Sequence, residues 1–591
     1  MLRFGKITCM LLTNYFLHSE SCAPRLRVGV LLDGDFLPQP FASVIDHLQR
    51  CNFADLVLRI YNMEKKGAPV AARASLLRKT FSVLRDSDRR KSLLWNLYDK
   101  LDARFATEER RLLAPQDISS LLADAPRIGV LPISKGFTHR FPFQALETIR
   151  SYNLDVILRF GFNLIRGEIL TVPRYGIWSY HHGDNDFYRG GPSHFWELVE
   201  GHPLSGVMLQ ILNKELDNGT VLCKGLAPTE PTLLMSKNRV QPYLLGTTFV
   251  IRKMFELHRG GMAELEQKSV LPRAYLGKQK IYRAPTNGQV ARFLIAPLAR
   301  KAIGRAFRRP TIDHWRLAFR VGRQVRFQGA TAPDLGGFRW FDSPRGRYYA
   351  DPFLWESKGR VFCLFEDYSY VAKCGRISCG EVTPGCELID VRPVLEQKYH
   401  LSYPFVFEDN GDIFLVPESA DNGTVDLYRA TSFPYQWEYV KTILDAPGLD
   451  TTIMRRDGLY WMFTSVSEPR GASAQLAVLF SSTLTGKYQF HYHTPITADA
   501  RHARGAGRIF EQEGVLIRPS QDSSGTYGRA IHFRKIIELT PKSYAEEPFV
   551  TLNAPAGFAG LHTYNRAANV EAIDSKKRML ASLVGQSEGG R

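Results

Sequence analysis

Two short loops carry the side chains best suited to chemistry. In the first, Ser179-Tyr180-His181-His182 runs into a Gly-rich turn closing on Arg189-Gly190-Gly191-Pro192; in the second, Leu216-Asp217-Asn218-Gly219 follows a strand-like alternation of Val207, Leu209 and Ile211. An imidazole titrates near neutrality, so His181 can accept or donate a proton, and a carboxylate beside it fixes the tautomer and favours the imidazolium. Taken singly, His181 reads equally well as a turn cap and Asp217 as an Asx turn with Gly219. Together they predict two loops that leave the same side of a sheet, with His181 and Asp217 in contact.

The elements that must position these loops read as strands alternating with helices. Arg27-Val-Gly-Val-Leu-Leu-Asp33 predicts a first strand, Phe41–Arg50 a helix, and Ile128-Gly-Val-Leu-Pro and Asp155-Val-Ile-Leu-Arg-Phe160 further strands, with Ser193–Gly201 an amphipathic segment. That order predicts an α/β doubly wound parallel sheet with its site at the carboxyl ends of the strands. No GxGxxG follows the first strand, which argues against a nicotinamide cofactor.

This segment resembles the catalytic core of the folate-dependent formyltransferases, whose pattern is Asn-x-His, a loop closing on Arg-Gly, and a distant Leu-Asp-x-Gly. The resemblance implies that His181 acts as base and oxyanion partner, that Asp217 orients it, and that N10-formyltetrahydrofolate is the formyl donor. It also implies that the loop Phe160-Gly161-Phe162-Asn163-Leu164 holds the pterin through backbone groups, and that Arg189 and Gly190 face the substrate. The family asparagine falls on Ser179, a departure that leaves one short hydroxyl as oxyanion donor, with His182 as a second imidazole to compensate. Losing an oxyanion donor costs about 100- to 1000-fold in rate.

From Phe338 onward the texture changes to short aromatic and β-branched runs broken by turns. Units ending in Gly359, Gly411, Gly458 and Gly514 repeat at intervals of 52, 47 and 56 residues, and a weaker fifth spans Gly560–Asp574. A hairpin in every unit and a period near 50 predict an all-β five-bladed propeller. Equivalent positions in successive blades surround one axis, so Asp351, Glu366, Glu418 and Asp450 should converge on its mouth, with Gln521 at a related position. Like charges that close raise one another's pKa unless a cation offsets them. Arg508, Arg518 and His562 are the expected offsets, and no metal is expected. The region resembles the family 43 glycosidase-like propellers and, more closely, the N-terminal domain of plant glucosamine inositolphosphorylceramide transferases, through Tyr349-Ala-Asp-Pro-Phe, Pro417-Glu-Ser, Leu449-Asp-Thr-Thr and Arg518-Pro-Ser-Gln-Asp.

The 591 residues exceed one core. The expected division is a disordered lead-in over 1–25, a formyltransferase-like domain over 26–280, a basic helical linker over 281–329, the propeller over 330–580 and a tail over 581–591. Eight cysteines without a CxxC pair or zinc spacing suit reduced thiols, and no run of about 18 apolar residues predicts a membrane span. The net charge of +18 gathers in Lys65–Arg111 and Arg300–Arg326, read as basic amphipathic helices. The combined expectation is a cytoplasmic enzyme that formylates the amine of a nucleotide- or lipid-linked amino sugar, with the propeller presenting the carbohydrate. Peripheral membrane or lipid-linked glycan contact remains open, and nucleic acid is not the expected partner. The alternatives are methionyl-tRNA formylation and a carbohydrate-binding or glycan-assembly protein whose first domain is catalytically silent.

Overall fold

The computed structural model describes residues 11–64, 93–215, 217–271, 273–295, 311–322, 334–467 and 475–580. Two compact units divide the chain, one taking Leu12–Ala302 and the other Ile303–Arg470 with Ala474–Arg591.

The first unit is built on a seven-stranded sheet of β1 (Leu26–Leu32), β2 (Ala54–Asn62), β3 (Arg127–Val130), β4 (Val156–Arg159), β5 (Ile177–His181), β6 (Leu204–Ile211) and β7 (Thr220–Pro228). Their spatial order is β7-β6-β5-β4-β1-β2-β3. The strands from β3 to β5 are mutually parallel, and β6 and β7 add as antiparallel neighbours. Near-continuous apolar runs, such as Val28, Val30, Leu31 and Leu32, are buried because helices cover a parallel sheet on both faces. From β1 the chain goes outward to β2 and β3, then returns to β4 on the other side of β1. This switch point brings the loops after β1 and β4 together: Phe162 N–H donates to Asp33 Oδ1 at 2.9 Å. Gly161 is required there, since a Cβ would lie 2.4 Å from Asp33 N.

The second unit is a five-bladed propeller. The four hairpins predicted at Gly359, Gly411, Gly458 and Gly514 are two-residue turns, with Ser357 paired to Arg360, Asp409 to Asp412, Arg456 to Leu459 and Gln512 to Val515. In each, glycine and the residue before it (Lys358, Asn410, Asp457, Glu513) have positive φ, the type I′ geometry that matches strand twist. A second repeat lies at the start of the first three inner strands. Asp351, Tyr403 and Asp450 all adopt φ between 43° and 51°, and the ladder slips at each. Thr311–Val321 pairs along its length with Val570–Leu580, so residues from the two ends of the domain close the ring in one sheet.

Several boundaries differ from expectation. Within the lead-in, Leu11–Phe16 is a helix whose Leu12 and Phe16 are buried, with Phe16 against Phe255. The linker is not a spacer: Tyr282, Val290 and Phe293 pack into the core of the first unit, and Thr311–Val321 is a propeller strand rather than a basic helix. Alternating Leu317 and Phe319, both buried, obey the strand period, which its arginines obscured. Residues 65–92, 296–310, 323–333 and the tail lie outside the described residues. No helix among the described residues is long and apolar enough to cross a membrane, and the seven described cysteines are free.

Candidate functional site

The first candidate site is a row of side chains on one sheet face. Ser179 on β5 pairs with Arg159 on β4 and with Gln210 on β6, and paired residues project to the same face. His181, two residues beyond Ser179, projects to that face as well. His182 projects to the other. Its ring lies beside Tyr180, Tyr243 and Phe41, and burial, helped by the neighbouring His194 and His181, pulls its pKa well below the usual value. His182 therefore packs among aromatic rings on the face opposite Ser179, not beside it as compensation for the shorter side chain would require.

His181 and Asp217 do meet, with Nδ1 to Oδ1 at 3.3 Å, but by a different route from the one expected. Because β6 is antiparallel to β5, the acidic loop begins at Ile211 beside Trp178, at the opposite end of β5 from His181. It must double back by roughly 10 Å, three residues of strand. Gln210 anchors that return, its Oε1 accepting from Gly219 N–H at 3.0 Å. Gly190 N–H donates to Asp217 Oδ2 at 2.9 Å, and Arg189 bonds Asn218 Oδ1 and the Asn185 carbonyl. Arg189 and Gly190 thus tie the two loops together, and Arg189 also lies over the Tyr275 ring.

The electrostatics follow from burial and this pairing. Burial opposes a charge on His181, yet the Asp217 carboxylate outweighs it and raises the imidazole above its ordinary value. Burial likewise opposes ionised Asp217, and His181 with the Gly190 N–H nevertheless holds that carboxyl below its usual range. His181 Nε2 donates to the Tyr188 carbonyl at 2.8 Å. Both ring nitrogens of His181 are thus engaged within the protein, Nδ1 with Asp217 and Nε2 with the Tyr188 carbonyl. Ser179 is likewise engaged, because its hydroxyl donates to the Tyr180 carbonyl at 3.2 Å and accepts from Arg159 Nη1 at 3.0 Å.

Arg159 was read only as part of a strand. Its Nη2 donates to the carbonyls of Phe162 and Asn163 at 3.0 and 3.1 Å. Asn163 N–H lies 3.1 Å from His139 Nδ1, and Phe160 and Leu164 N–H groups donate to Leu31 and Phe137 carbonyls. The Phe160–Leu164 loop is therefore already hydrogen-bonded at several of the groups expected to hold a pterin. A ligand seated on that loop would have to use second carbonyl lone pairs or displace Arg159.

The second candidate site is the propeller mouth. Inner-strand positions are linked from blade to blade: Asp351 N–H donates to Asp574 Oδ2, Tyr403 N–H to Asp351 Oδ2, and Asp450 N–H to Glu418 Oε2. The four predicted carboxylates feel one another's charge. Burial first, then Asp574 and Asp450 working against a favourable His562, pushes Asp351 up to about 6. Glu366 is raised well above its usual value by burial and then Asp351, and Glu418 by burial and then Asp450. Glu366 accepts from Tyr348 OH at 3.2 Å. Gln521 reaches the group, donating to Asp450 Oδ2 at 3.0 Å.

The offsetting cations differ from those expected. Arg504 contacts Asp450 Oδ2 at 2.7 Å and Glu418 Oε2 at 3.4 Å. Arg508 instead bonds the Val406 carbonyl beneath Trp355 and Phe405, and Arg518 pairs with Glu546. His562 contributes as expected, with Nδ1 2.6 Å from Asp574 Oδ2 and its ring stacked 3.8 Å from Trp315. One ligand atom each of Asp351, His562 and Asp574 lies within 4.8 Å of the others, a spacing a metal could bridge. The carboxylate oxygens there already accept from Asp351, His562, Thr563 and Tyr403 N–H groups and the Thr563 hydroxyl. Tyr403, standing where a further acid would sit, gives its hydroxyl to Gly507 and Thr452 and so joins inner strands.

Residues 342–585 match the family described as glucosamine inositolphosphorylceramide transferase 1, N-terminal. The transferase of that name from Oryza sativa subsp. indica is 33% identical over 249 residues, 41% of this chain and 33% of the relative, so the chain spans about a third of that relative's length. The methionyl-tRNA formyltransferase of Azobacteroides pseudotrichonymphae is 24% identical over 140 residues, 24% of this chain and 42% of that enzyme. Glycinamide ribonucleotide transformylase 1 from Symbiobacterium toebii has 14% identity and a TM-score of 0.26, covering 40% of this chain and 88% of that one. The chain thus joins a unit similar to the formyltransferases to a propeller similar to the N-terminal part of the plant glucosamine inositolphosphorylceramide transferases.

Proposed function

We propose that the protein transfers a formyl group from N10-formyltetrahydrofolate to the amine of an amino sugar, nucleotide- or lipid-linked, whose carbohydrate the propeller mouth holds. The observation that carries this reading is the charged group at the carboxyl ends of β4 and β5, where Arg159 is the register neighbour of Ser179 and His181 pairs with Asp217. The mouth supports it independently, offering carboxylates, Gln521 and Tyr348 to sugar hydroxyls or to an ammonium group. Tethering both units in one chain raises the effective concentration of a bound acceptor. A cytoplasmic location goes with this reading. Purified protein incubated with N10-[14C]formyltetrahydrofolate and a panel of amino sugars should give a labelled formamide, and calorimetry should detect binding of the folate. Absence of both removes the proposal. A methionyl-tRNA acceptor would show itself by steep salt dependence of binding.

A second reading is favoured by one observation: in this conformation the Ser179 proton and both His181 ring nitrogens are engaged within the protein. It makes the protein a carbohydrate-binding, glycan-assembly component whose first unit transfers nothing. Retention of glycan binding by His181→Ala, with no formyl transfer by either form, supports it. Wild-type transfer abolished by His181→Ala excludes it.

A further inference from the structure

We infer that Arg159 is the group that meets the anionic oxygen in the first unit, in place of Ser179; the inference rests on the formyl-transfer reading for the identity of that oxygen, not for its existence. Three observations carry it. Arg159 and Ser179 are register neighbours on adjacent parallel strands, on the face that also bears His181. The guanidinium is held in place by Ser179 Oγ and by the Phe162 and Asn163 carbonyls, all at 3.0–3.1 Å. Those contacts use three of its five N–H donors, and Nε is buried without a hydrogen-bond partner. Ser179 and His181 have no donor left.

The small residue at 179 is what admits this arrangement. An asparagine would place its Cγ near the present Oγ, only 3.0 Å from Arg159 Nη1, and its terminal O or N roughly 1.2 Å further out. Serine and arginine therefore form one unit: the shorter side chain seats a planar, permanently charged fork where a single amide would otherwise stand. Asp217 and Asp33 both act on the Arg159 guanidinium, and its unpaired Nε–H is the donor left to meet an oxygen that becomes negative.

In formyl transfer that oxygen is the formyl oxygen. The amine nitrogen attacks the formyl carbon, the carbonyl π pair moves to oxygen, and its return breaks the bond to the carrier nitrogen. The amine releases its proton to solvent, and the carrier nitrogen takes one up. Arg159 N–H donors stabilise the charge in between. Arg159 lies outside the formyltransferase pattern matched above.

The test is a reciprocal swap. Arg159→Leu should lower kcat about 100- to 1000-fold with KM for the amino sugar little changed, and millimolar guanidinium should restore part of the rate. Ser179→Asn alone should also lose activity through its clash with the guanidinium, whereas the double variant Arg159→Leu, Ser179→Asn should recover at least tenfold over either single variant. Thermal melts of all three are required to stay close to wild type, and Arg159→Lys serves if Arg159→Leu does not fold. An activity-independent arm titrates [13C]formate by NMR: wild type should bind it, and Arg159→Leu should weaken binding at least tenfold. Undiminished kcat in Arg159→Leu, a change in KM alone, activity in Ser179→Asn above wild type, or equal formate binding overturns the inference. Formate binding that depends on Arg159 in a protein that transfers no formyl group keeps the anionic-oxygen site and removes the formyl-transfer reading instead.

Discussion

Replacing Arg504 by methionine should unbalance the propeller mouth in a way that depends on pH. Among the described residues, Arg504 is the lysine or arginine ion-paired with both Glu418 and Asp450, at 3.4 and 2.7 Å, and its side chain is 23% exposed. Methionine keeps the bulk of the stem but leaves two buried carboxylates facing each other. Breaking a buried pair by removing one partner costs about 3–5 kcal/mol. At roughly 2–4 °C per kcal/mol for a domain of this size, the melting temperature of the propeller should fall by something on the order of 6–20 °C at pH 8. Glu418 is already raised well above its usual value, by burial first and then by Asp450, with Arg504 opposing. A carboxyl raised in the folded state makes a contribution that is fully present below its unfolded pKa and is lost as pH rises through the folded one. Removing Arg504 raises Glu418 further, so the difference between variant and wild type should be small near pH 4 and should grow as pH increases. Melts followed by calorimetry from pH 4 to 9 read this directly. A loss below about 1 kcal/mol at pH 8, or one independent of pH, refutes the assignment of Arg504 as the counter-ion of the mouth.

Asp217→Asn removes the carboxylate that raises His181, so the His181 resonance should titrate at lower pH than in wild type; by the same linkage, the stability advantage of wild type is full below about 6.5 and fades as pH rises through the raised folded value. An unmoved titration contradicts the pairing. Tyr403→Phe leaves Gly507 N–H, now bonded at 2.9 Å, without its partner, and should cost about 1–3 kcal/mol in denaturant midpoint without change of slope. Gly161→Ala places a methyl 2.4 Å from Asp33 N and 2.5 Å from Leu32 C, backbone atoms that cannot rotate away; a sharply lower melting temperature or yield of folded protein is expected, and a wild-type melt would show that the crossing of these two loops is loose.

The strands of the first unit were legible because burial on both faces writes itself as unbroken apolar runs, and the propeller because its type I′ turns require glycine at a fixed offset. What escaped was direction and closure. A single strand pattern does not say whether β6 runs with or against β5, so the acidic loop was expected at the wrong end of β5 although its carboxylate was expected at the right imidazole. The closing strand Thr311–Val321 was hidden by arginines whose stems lie along the sheet while Arg320 pairs with Glu571. Missing that strand also meant missing Asp574, which pairs with Leu317 across the closure and accepts from Asp351 at the mouth.

Arg504 shows why proximity in sequence chose the wrong cations. Arg508 and Arg518 flank a hairpin glycine, but in this fourth blade the ladder shifts by two residues between Gly505, opposite Ser520, and Phe510, opposite Ile517, with Gly507 at φ 128° between them. Regular strand alternation therefore does not carry across to Arg508. Arg508, two after Ala506, turns between blades to Val406 and Trp355, whereas Arg504, two before Ala506, faces Asp450. The same reasoning applies to Arg159, which shares its face with Ser179 because no bulge interrupts β4 or β5 where they pair. An arginine ending an apolar strand reads as the strand's exit to solvent, and only the parallel register with Ser179 turns it inward to the site.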